Sequence, residues 1–339
     1  MKSIAYKALF RAFITPAMLL SLVPSTALAC ASCGCTLSSD WENLDFASQG
    51  GFKLDLRYDD IDQNDLRAGR HTISPQAASQ IVNDAEPQEV ETYTHNHYIT
   101  ASLDYSHGGD WGVNIALPYI QRTHETLGTA SDGVTPGPDG ESYVSDTSNI
   151  GDIRIVGRYS GFSKRHDTGL LFGLKLPTGP TSLSGQSTDT TAPGPVGIDP
   201  GLQPGSGTTD LILGAYHAGT LGQVWEYYAQ GLYQRAFSAH AGYRPGDGYN
   251  LNLGLKYTGF DRVTPQLQLN ARHVKHDTGA NADTTSTGGT LVYLSPGVIV
   301  PVSDRVSLFG FVQVPVYQDV RGVQLTPKLT GSFGARYSF

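Results

Sequence analysis

From residue 51 onward, apolar and polar positions alternate with a period of two, in segments of about ten residues separated by turn-forming stretches. In 328–339, Leu329, Gly331, Phe333, Ala335, Tyr337 and Phe339 are apolar or small, and Lys328, Thr330, Ser332, Gly334, Arg336 and Ser338 between them are polar or small. The same rhythm places Phe52, Leu54, Leu56 and Tyr58 on one face, then Leu170, Phe172, Leu174 and Leu176. Leu251, Leu253, Leu255 and Tyr257 form a third set, and Leu267, Leu269 and Ala271 a fourth. Twelve strands are predicted: 51–59, 93–106, 111–122, 150–160, 168–177, 210–218, 225–237, 249–258, 265–274, 291–302, 306–317 and 328–339. No stretch carries apolar residues at helical spacing.

The connections alternate in length. Short turns follow the second, fourth, sixth, eighth and tenth strands, whereas 60–92, 123–149 and 178–209 are long and rich in Gly, Pro, Ser, Thr and Asp. Aromatic residues collect near strand ends: Tyr58, Tyr105, Trp111, Tyr119, Trp225, Tyr233, Tyr257 and Phe339. About ten residues suffice for a tilted strand to cross a bilayer. Short turns at one end, long loops at the other and aromatic residues at both boundaries describe a transmembrane barrel. The predicted fold is therefore all-β: an antiparallel up-and-down barrel of about twelve strands, with short periplasmic turns and long extracellular loops. A soluble β-sandwich also alternates, but it accounts for neither the regular strand length nor the one-sided long loops.

Composition agrees, with 40 Gly and 18 Tyr against 2 Met. Residues 1–29 carry Lys2, Lys7 and Arg11, then an apolar run and Ala27-Leu28-Ala29, and read as a cleaved signal peptide. Its loss takes the formal net charge from −8 to −11. Such an acidic chain lacks the basic patches that nucleic acid requires. The expected organisation is signal peptide 1–29, a Cys-rich periplasmic segment 30–50 and a barrel 51–339. All three cysteines, Cys30, Cys33 and Cys35, fall within six residues. Three readings stay open: a disulfide or redox use, a soft metal, or lipidation of Cys30. No other cofactor is expected.

The faces opposite the apolar sets point inward and carry Lys53, Asp55, Arg57, Asp104, Asp152, Arg154, Arg158, Lys175, Asp210, Glu226, Lys256, Arg272, Lys328 and Arg336. Asn96, Gln230, Gln234, Asn252, Gln266, Gln268, Asn270 and Gln313 join them. Nine bases against five acids make a mixed, slightly basic lining. Most are expected to pair across a narrow interior, leaving a small pore or gated route, because twelve strands lie between the filled and the water-filled barrels. His95 and His97 stand two apart and share a strand face, as metal ligands do. At a rim position, however, the pair reads as polar interfacial residues meeting lipid phosphates, and no metal site is assigned to it. No catalytic residue is assigned. The His-x-Ser-Asn-Gly pattern of barrel phospholipases is not matched by Thr94-His95-Asn96-His97, and no Gly-x-Ser-x-Gly elbow or phosphate loop occurs.

The segment ending on Phe339 resembles the closing strand of bacterial outer-membrane barrels, which end on an aromatic residue read by the barrel-assembly machinery. Gly173-Leu-Lys-Leu-Pro-Thr-Gly179, Pro204-Gly-Ser-Gly-Thr-Thr-Asp210, Tyr243-Arg-Pro-Gly-Asp-Gly-Tyr249 and Gly151-Asp-Ile-Arg154 resemble the barrel family called meta-pathway phenol-degradation proteins. The resemblance spans 150–339 and concerns strand ends and glycine turns. It implies an outer-membrane channel or transporter for passive movement of small molecules, aromatic or apolar compounds among them. Lipid, the assembly machinery and a small solute are the partners implied. The rival reading is a non-conducting scaffold whose cysteine cluster engages a periplasmic redox or metal partner.

Overall fold

A strand with one apolar and one polar face can satisfy its backbone in hydrocarbon only if its sheet closes on itself, and this chain closes. The computed structural model describes residues 50–83, 86–87, 90–129, 136–137 and 142–339. Twelve antiparallel strands run up and down in order: β1 Gly51–Ala68, β2 Val90–Ser106, β3 Trp111–Thr129, β4 Ile153–Tyr159, β5 Thr168–Leu176, β6 Asp210–Leu221, β7 Trp225–Ala236, β8 Gly248–Tyr257, β9 Thr264–Val274, β10 Gly289–Pro301, β11 Val306–Val320 and β12 Val323–Ser338. Each pairs with its sequence neighbour, and β12 pairs with β1 from Lys53↔Ser338 to Ala68↔Val323. Hydrogen bonds between side chains cross this seam on the inside. Arg336 Nη2 donates to Asp55 Oδ2 at 2.5 Å and Ser332 Oγ to Asp59 Oδ1 at 2.5 Å. The amide of Phe339 donates to the carbonyl of Phe52 at 2.9 Å.

The lipid-facing band is continuous. Phe52, Leu54, Leu56, Leu170, Phe172, Leu251, Leu267 and Phe333 all point out and are exposed. Aromatic pairs flank the band on both sides. Phe52–Tyr105, Tyr105–Trp111 and Trp225–Tyr257 mark the end with the short turns, and Tyr58–Phe333 and Tyr233–Tyr249 the other. No helix among the described residues is long and apolar enough to cross a membrane.

Several strands exceed their predicted length. β1 is 18 residues, β2 17 and β3 19. Residues 60–68, 90–92 and 123–129, expected in loops, belong to these strands. All of 143–149, also expected in a loop, is strand: Tyr143–Ile150 continues the line of β4 and pairs with β3 from Tyr119↔Ile150 to Thr126↔Tyr143. The wall thus projects well past the band on the long-loop side. In that projection the polarity inverts: Asp60 and Asp62 face outward, while Ile61, Leu66, Val90, Val323 and Leu325 are buried inside. Water now bathes the outer face, so the apolar side turns inward as in a soluble sheet. Leu66, Val90, Val323 and Leu325 form a small core with Ala78 of helix α1, Pro75–Ser79, whose Ser74 Oγ accepts from the Ala77 amide at 3.2 Å. The register shift that lets β12 follow the inversion lies where Asp62 pairs with Leu329 and Gln63 with Pro327.

That shift corrects one expectation. Lys328, counted in the lumen by strict alternation, is the residue skipped at the bulge. It is exposed along with Leu329, while Pro327 before them and Thr330 after them are buried. A bulge inserts one residue and shifts the alternation beyond it, which a fixed period of two does not anticipate.

Candidate functional site: the lumen and its mouth

Inside the band the charges meet one another. Arg158 Nη1 donates to Asp104 Oδ2 at 2.7 Å, Lys175 Nζ to Asp152 Oδ2 at 2.6 Å, and Lys175 also lies 3.4 Å from Asp210. Lys256 Nζ reaches Glu226 Oε2 at 2.8 Å, Arg57 Nε reaches Asp59 Oδ2 at 2.9 Å, and Lys53 stands across from Asp104 in the register. Breaking one partner of such a buried pair leaves a charge out of water without compensation, costing on the order of 3–5 kcal/mol.

Across β7 to β11 one level of the lining is neutral instead. Asn252 Nδ2 donates to Gln230 Oε1 at 3.0 Å, Asn270 Nδ2 to Asn252 Oδ1 at 2.9 Å, Ser295 Oγ to Asn270 Oδ1 at 2.7 Å, and Gln313 Nε2 to Ser295 Oγ at 3.4 Å. One polar position per strand therefore makes a continuous ladder around this half of the wall. Toward the periplasmic end Phe309 and Phe311 fill the interior, with the Arg336 guanidinium 5.2 Å over the Phe309 ring. A Cβ on Gly334 would come within 2.5 Å of Phe309 Cζ, so the glycine makes room for the ring.

Between these regions lies a cavity of about 400 Å³. One side is apolar and aromatic, formed by Leu171, Tyr216 and Tyr228 with Val156 and Leu232 packed against them. Asp55, Arg57, Asp104, Arg154, Arg158, Asp210 and Arg272 line it as well, together with the β2 residues Tyr98, Thr100 and Ser102. A space of this size, with an apolar wall and a few convergent polar groups, has the character of a small-molecule site.

The mouth is narrowed by the segment between β5 and β6. Its 3₁₀ turn, Pro200–Leu202, is held by Arg122 of β3. The buried guanidinium donates through Nη1 to the Leu202 carbonyl at 2.5 Å and the Gly201 carbonyl at 3.3 Å, through Nε to Asn96 Oδ1 at 2.5 Å, and through Nη2 to the Tyr98 hydroxyl at 2.9 Å. Leu202 packs on Ile198 and Tyr143, and Gln203 clamps Leu183 with two hydrogen bonds of 3.0 Å. At the root, Asp152 accepts from the Ser206 amide at 3.0 Å, the Ser206 hydroxyl at 2.9 Å and the Gly179 amide at 3.2 Å. Here the backbones of Gly179 and Gly205 touch: a Cβ on Gly205 would lie 2.2 Å from the Gly179 carbonyl oxygen. The Pro-Thr-Gly and Pro-Gly-Ser-Gly segments are therefore the knot that sends this loop back into the mouth.

Of the predicted lining residues, Asp55, Arg57, Asp104, Arg154, Arg158, Asp210 and Arg272 border the cavity. Asp152 and Lys175 serve the loop root, Glu226 and Lys256 pair near the periplasmic end, Lys53 and Arg336 are buried, and Lys328 is exposed at its bulge. Cys30, Cys33 and Cys35 lie outside the described residues. Arg122 was not among the predicted site residues. Its signal was parity, since it continues the inward series Asn114, Ala116, Pro118 and Ile120 to the last residue of the predicted strand 111–122. The apolar lining was hidden by doublets such as Leu170-Leu171, in which both faces are apolar.

No protein-family model matches the chain, and no curated protein matches it. Among solved structures, the chain is similar to an outer membrane channel from Pseudomonas putida F1, with a TM-score of 0.57 and 12% identity over 86% of this chain and 96% of that one. It also aligns with the CymD monoaromatic hydrocarbon channel, with a TM-score of 0.46 and 10% identity over 91% of this chain and 94% of that one. The first likeness establishes a shared outer-membrane barrel fold; the second is too loose to add to it.

Proposed function

We propose that the chain is an outer-membrane channel for passive uptake or efflux of small molecules, aromatic or apolar compounds among them. The observation that supports this reading most is the cavity itself. It lies within a closed barrel, and its lining sets Leu171, Tyr216 and Tyr228 beside Arg and Asp side chains. Such a lining favours flat or compact solutes with an apolar body and admits polar substituents. The chemistry is facilitated diffusion, with size and charge screened by Arg57, Arg154, Arg158 and the mouth loop pinned by Arg122. No catalytic step is part of the proposal, and lipid, the assembly machinery and a small solute are its partners.

The test is conductance of the purified full chain in planar bilayers, together with liposome uptake of small aromatic solutes. Uptake faster than in protein-free vesicles is expected, and slower uptake after Tyr216→Arg/Leu171→Arg, which crowd the cavity. Absence of both conductance and uptake removes the channel reading. The clustering of three cysteines at 30–35 favours a second reading, a non-conducting scaffold for a redox or metal partner. Under it, replacing the cysteines abolishes a redox phenotype and leaves solute flux unchanged.

A further inference from the structure

The outer face of the wall carries a group that alternation alone did not assemble. Asp60 of β1 lies directly opposite His97 of β2 in the register and diagonal to His95. All three side chains point out of the barrel, one step beyond Tyr58, the aromatic residue at the edge of the lipid-facing band. His95 Nε2 is 2.8 Å from Asp60 Oδ1, and His97 Nδ1 is 3.7 Å from the same oxygen. The two imidazole rings are 4.5 Å apart, and one ligand atom from each of the three residues falls within 4.8 Å of the others. All three side chains are partly exposed, so an ion can reach them from the aqueous side.

We propose that Asp60, His95 and His97 form a binding site for a divalent transition-metal ion of the zinc, nickel or copper type, on the outer rim of the barrel wall. Three arguments carry this. Two imidazoles and a carboxylate suit borderline metals, whereas calcium and magnesium prefer oxygen throughout. Ligand atoms each about 2.1 Å from a tetrahedral ion lie roughly 3.4 Å apart, and the observed 2.8 and 3.7 Å bracket that spacing. The ligands also sit on paired strands, whose ladder fixes Asp60 against His97 and holds the spread small before any ion arrives. Asp62, opposite His95, adds negative charge beside the site. The Tyr58 hydroxyl lies 2.6 Å from the same His97 Nδ1, a hydrogen bond that coordination by His97 displaces. Three protein ligands leave at least one coordination position open toward the surroundings.

A metal takes the His95 Nε2 and Asp60 Oδ1 atoms that now contact each other, and because ligating imidazoles must give up their protons, binding weakens on acidification. The site is independent of solute passage, because it faces away from the lumen.

The experiment uses the full chain in detergent micelles with Cys30→Ser/Cys33→Ser/Cys35→Ser, which removes the thiolates as competing ligands. Zinc titration by calorimetry is expected to give one ion per chain at about pH 7.5, and affinity at least ~10-fold lower at about pH 5.5. His95→Gln and His97→Gln are each expected to lower affinity at least ~10-fold while the heat-modifiable mobility of the folded barrel persists. Electron paramagnetic resonance of the Cu²⁺-loaded protein, which needs no rim variant, should show two coordinating imidazole nitrogens. Absence of zinc binding, binding that survives both His substitutions, or a copper spectrum with fewer than two nitrogens overturns the proposal.

Discussion

Asp277, in the loop after β9, is buried where that loop meets the cavity wall. It accepts from the Gly246 amide at 2.7 Å and the Tyr243 hydroxyl at 3.1 Å, and its own amide donates to Thr287 Oγ1 at 2.9 Å. Burial raises its carboxyl from 3.8 to about 6, with the nearby Asp283 charge adding to the rise. An acid raised on folding binds its proton more tightly in the folded loop. Its stabilising contribution is therefore complete below 3.8 and is lost as pH rises through about 6, an effect of at most about 3 kcal/mol. Asp283 is raised by burial as well and acts in the same direction. Hydrogen exchange across 275–288, corrected for intrinsic rate, should thus be slower at pH 5 than at pH 7.5. Asp277→Asn should flatten most of that difference, and an unchanged pH response would refute the assignment. None of this was legible locally, since the sequence shows only a polar Gly-, Asn- and Thr-rich loop. Burial comes from Tyr243 and Gly246, some thirty residues away.

At the scale of elements, the mouth loop shows how much hangs on one inward side chain. Its hairpin strands Ser184–Ser187 and Pro195–Gly197, its 3₁₀ turn and its glycine root pack on one another, yet the turn meets β3 through Arg122. Arg122→Ala removes two donors to the turn and should free it by about 3 kcal/mol, since hydrogen bonds from charged groups contribute about 1.5–3 kcal/mol each and do not add fully. The expected outcome is higher single-channel conductance and faster proteolysis within 183–203, with barrel mobility on gels unchanged. Equal conductance would show that the turn does not limit flow. Strand existence and face were readable in the membrane band, where Leu54, Leu170 and Leu251 mark the outside. Strand ends were not, because beyond the band the same alternation continues with its meaning reversed. Ile61 and Leu66 turn inward, and Asp60 and Asp62 face water.

For the whole molecule, the seam between β1 and β12 decides whether the chain is a barrel or an open sheet. Deleting 328–339 exposes the edges of β1 and β11 along most of their length, and unsatisfied backbone groups in hydrocarbon cost several kcal/mol apiece. That variant should give no heat-modifiable species in detergent. Deleting the hairpin 184–197 should leave the species intact, because those residues pair only outside the band. The opposite ranking would mean that loops, rather than closure, hold the fold. The metal site on the rim belongs to this scale too. His95 and His97 were visible as a pair, but Asp60 joins them only through the register of β1 against β2, 35 residues apart in sequence.

The alternation itself determined the architecture: strand number, the lipid-facing positions and the side carrying long loops all follow from a period of two repeated about every ten residues. It also placed charges inside, since an outward Asp or Arg has no partner in hydrocarbon. Which charge meets which, where the bulges reset the count, and which loop returns into the mouth depend on contacts between residues far apart in the chain. Local pattern constrains the face a side chain takes. Only closure of the sheet pairs Arg336 with Asp55 at the seam, and only strand register and the returning loop bring Arg158 to Asp104 and Arg122 to Leu202.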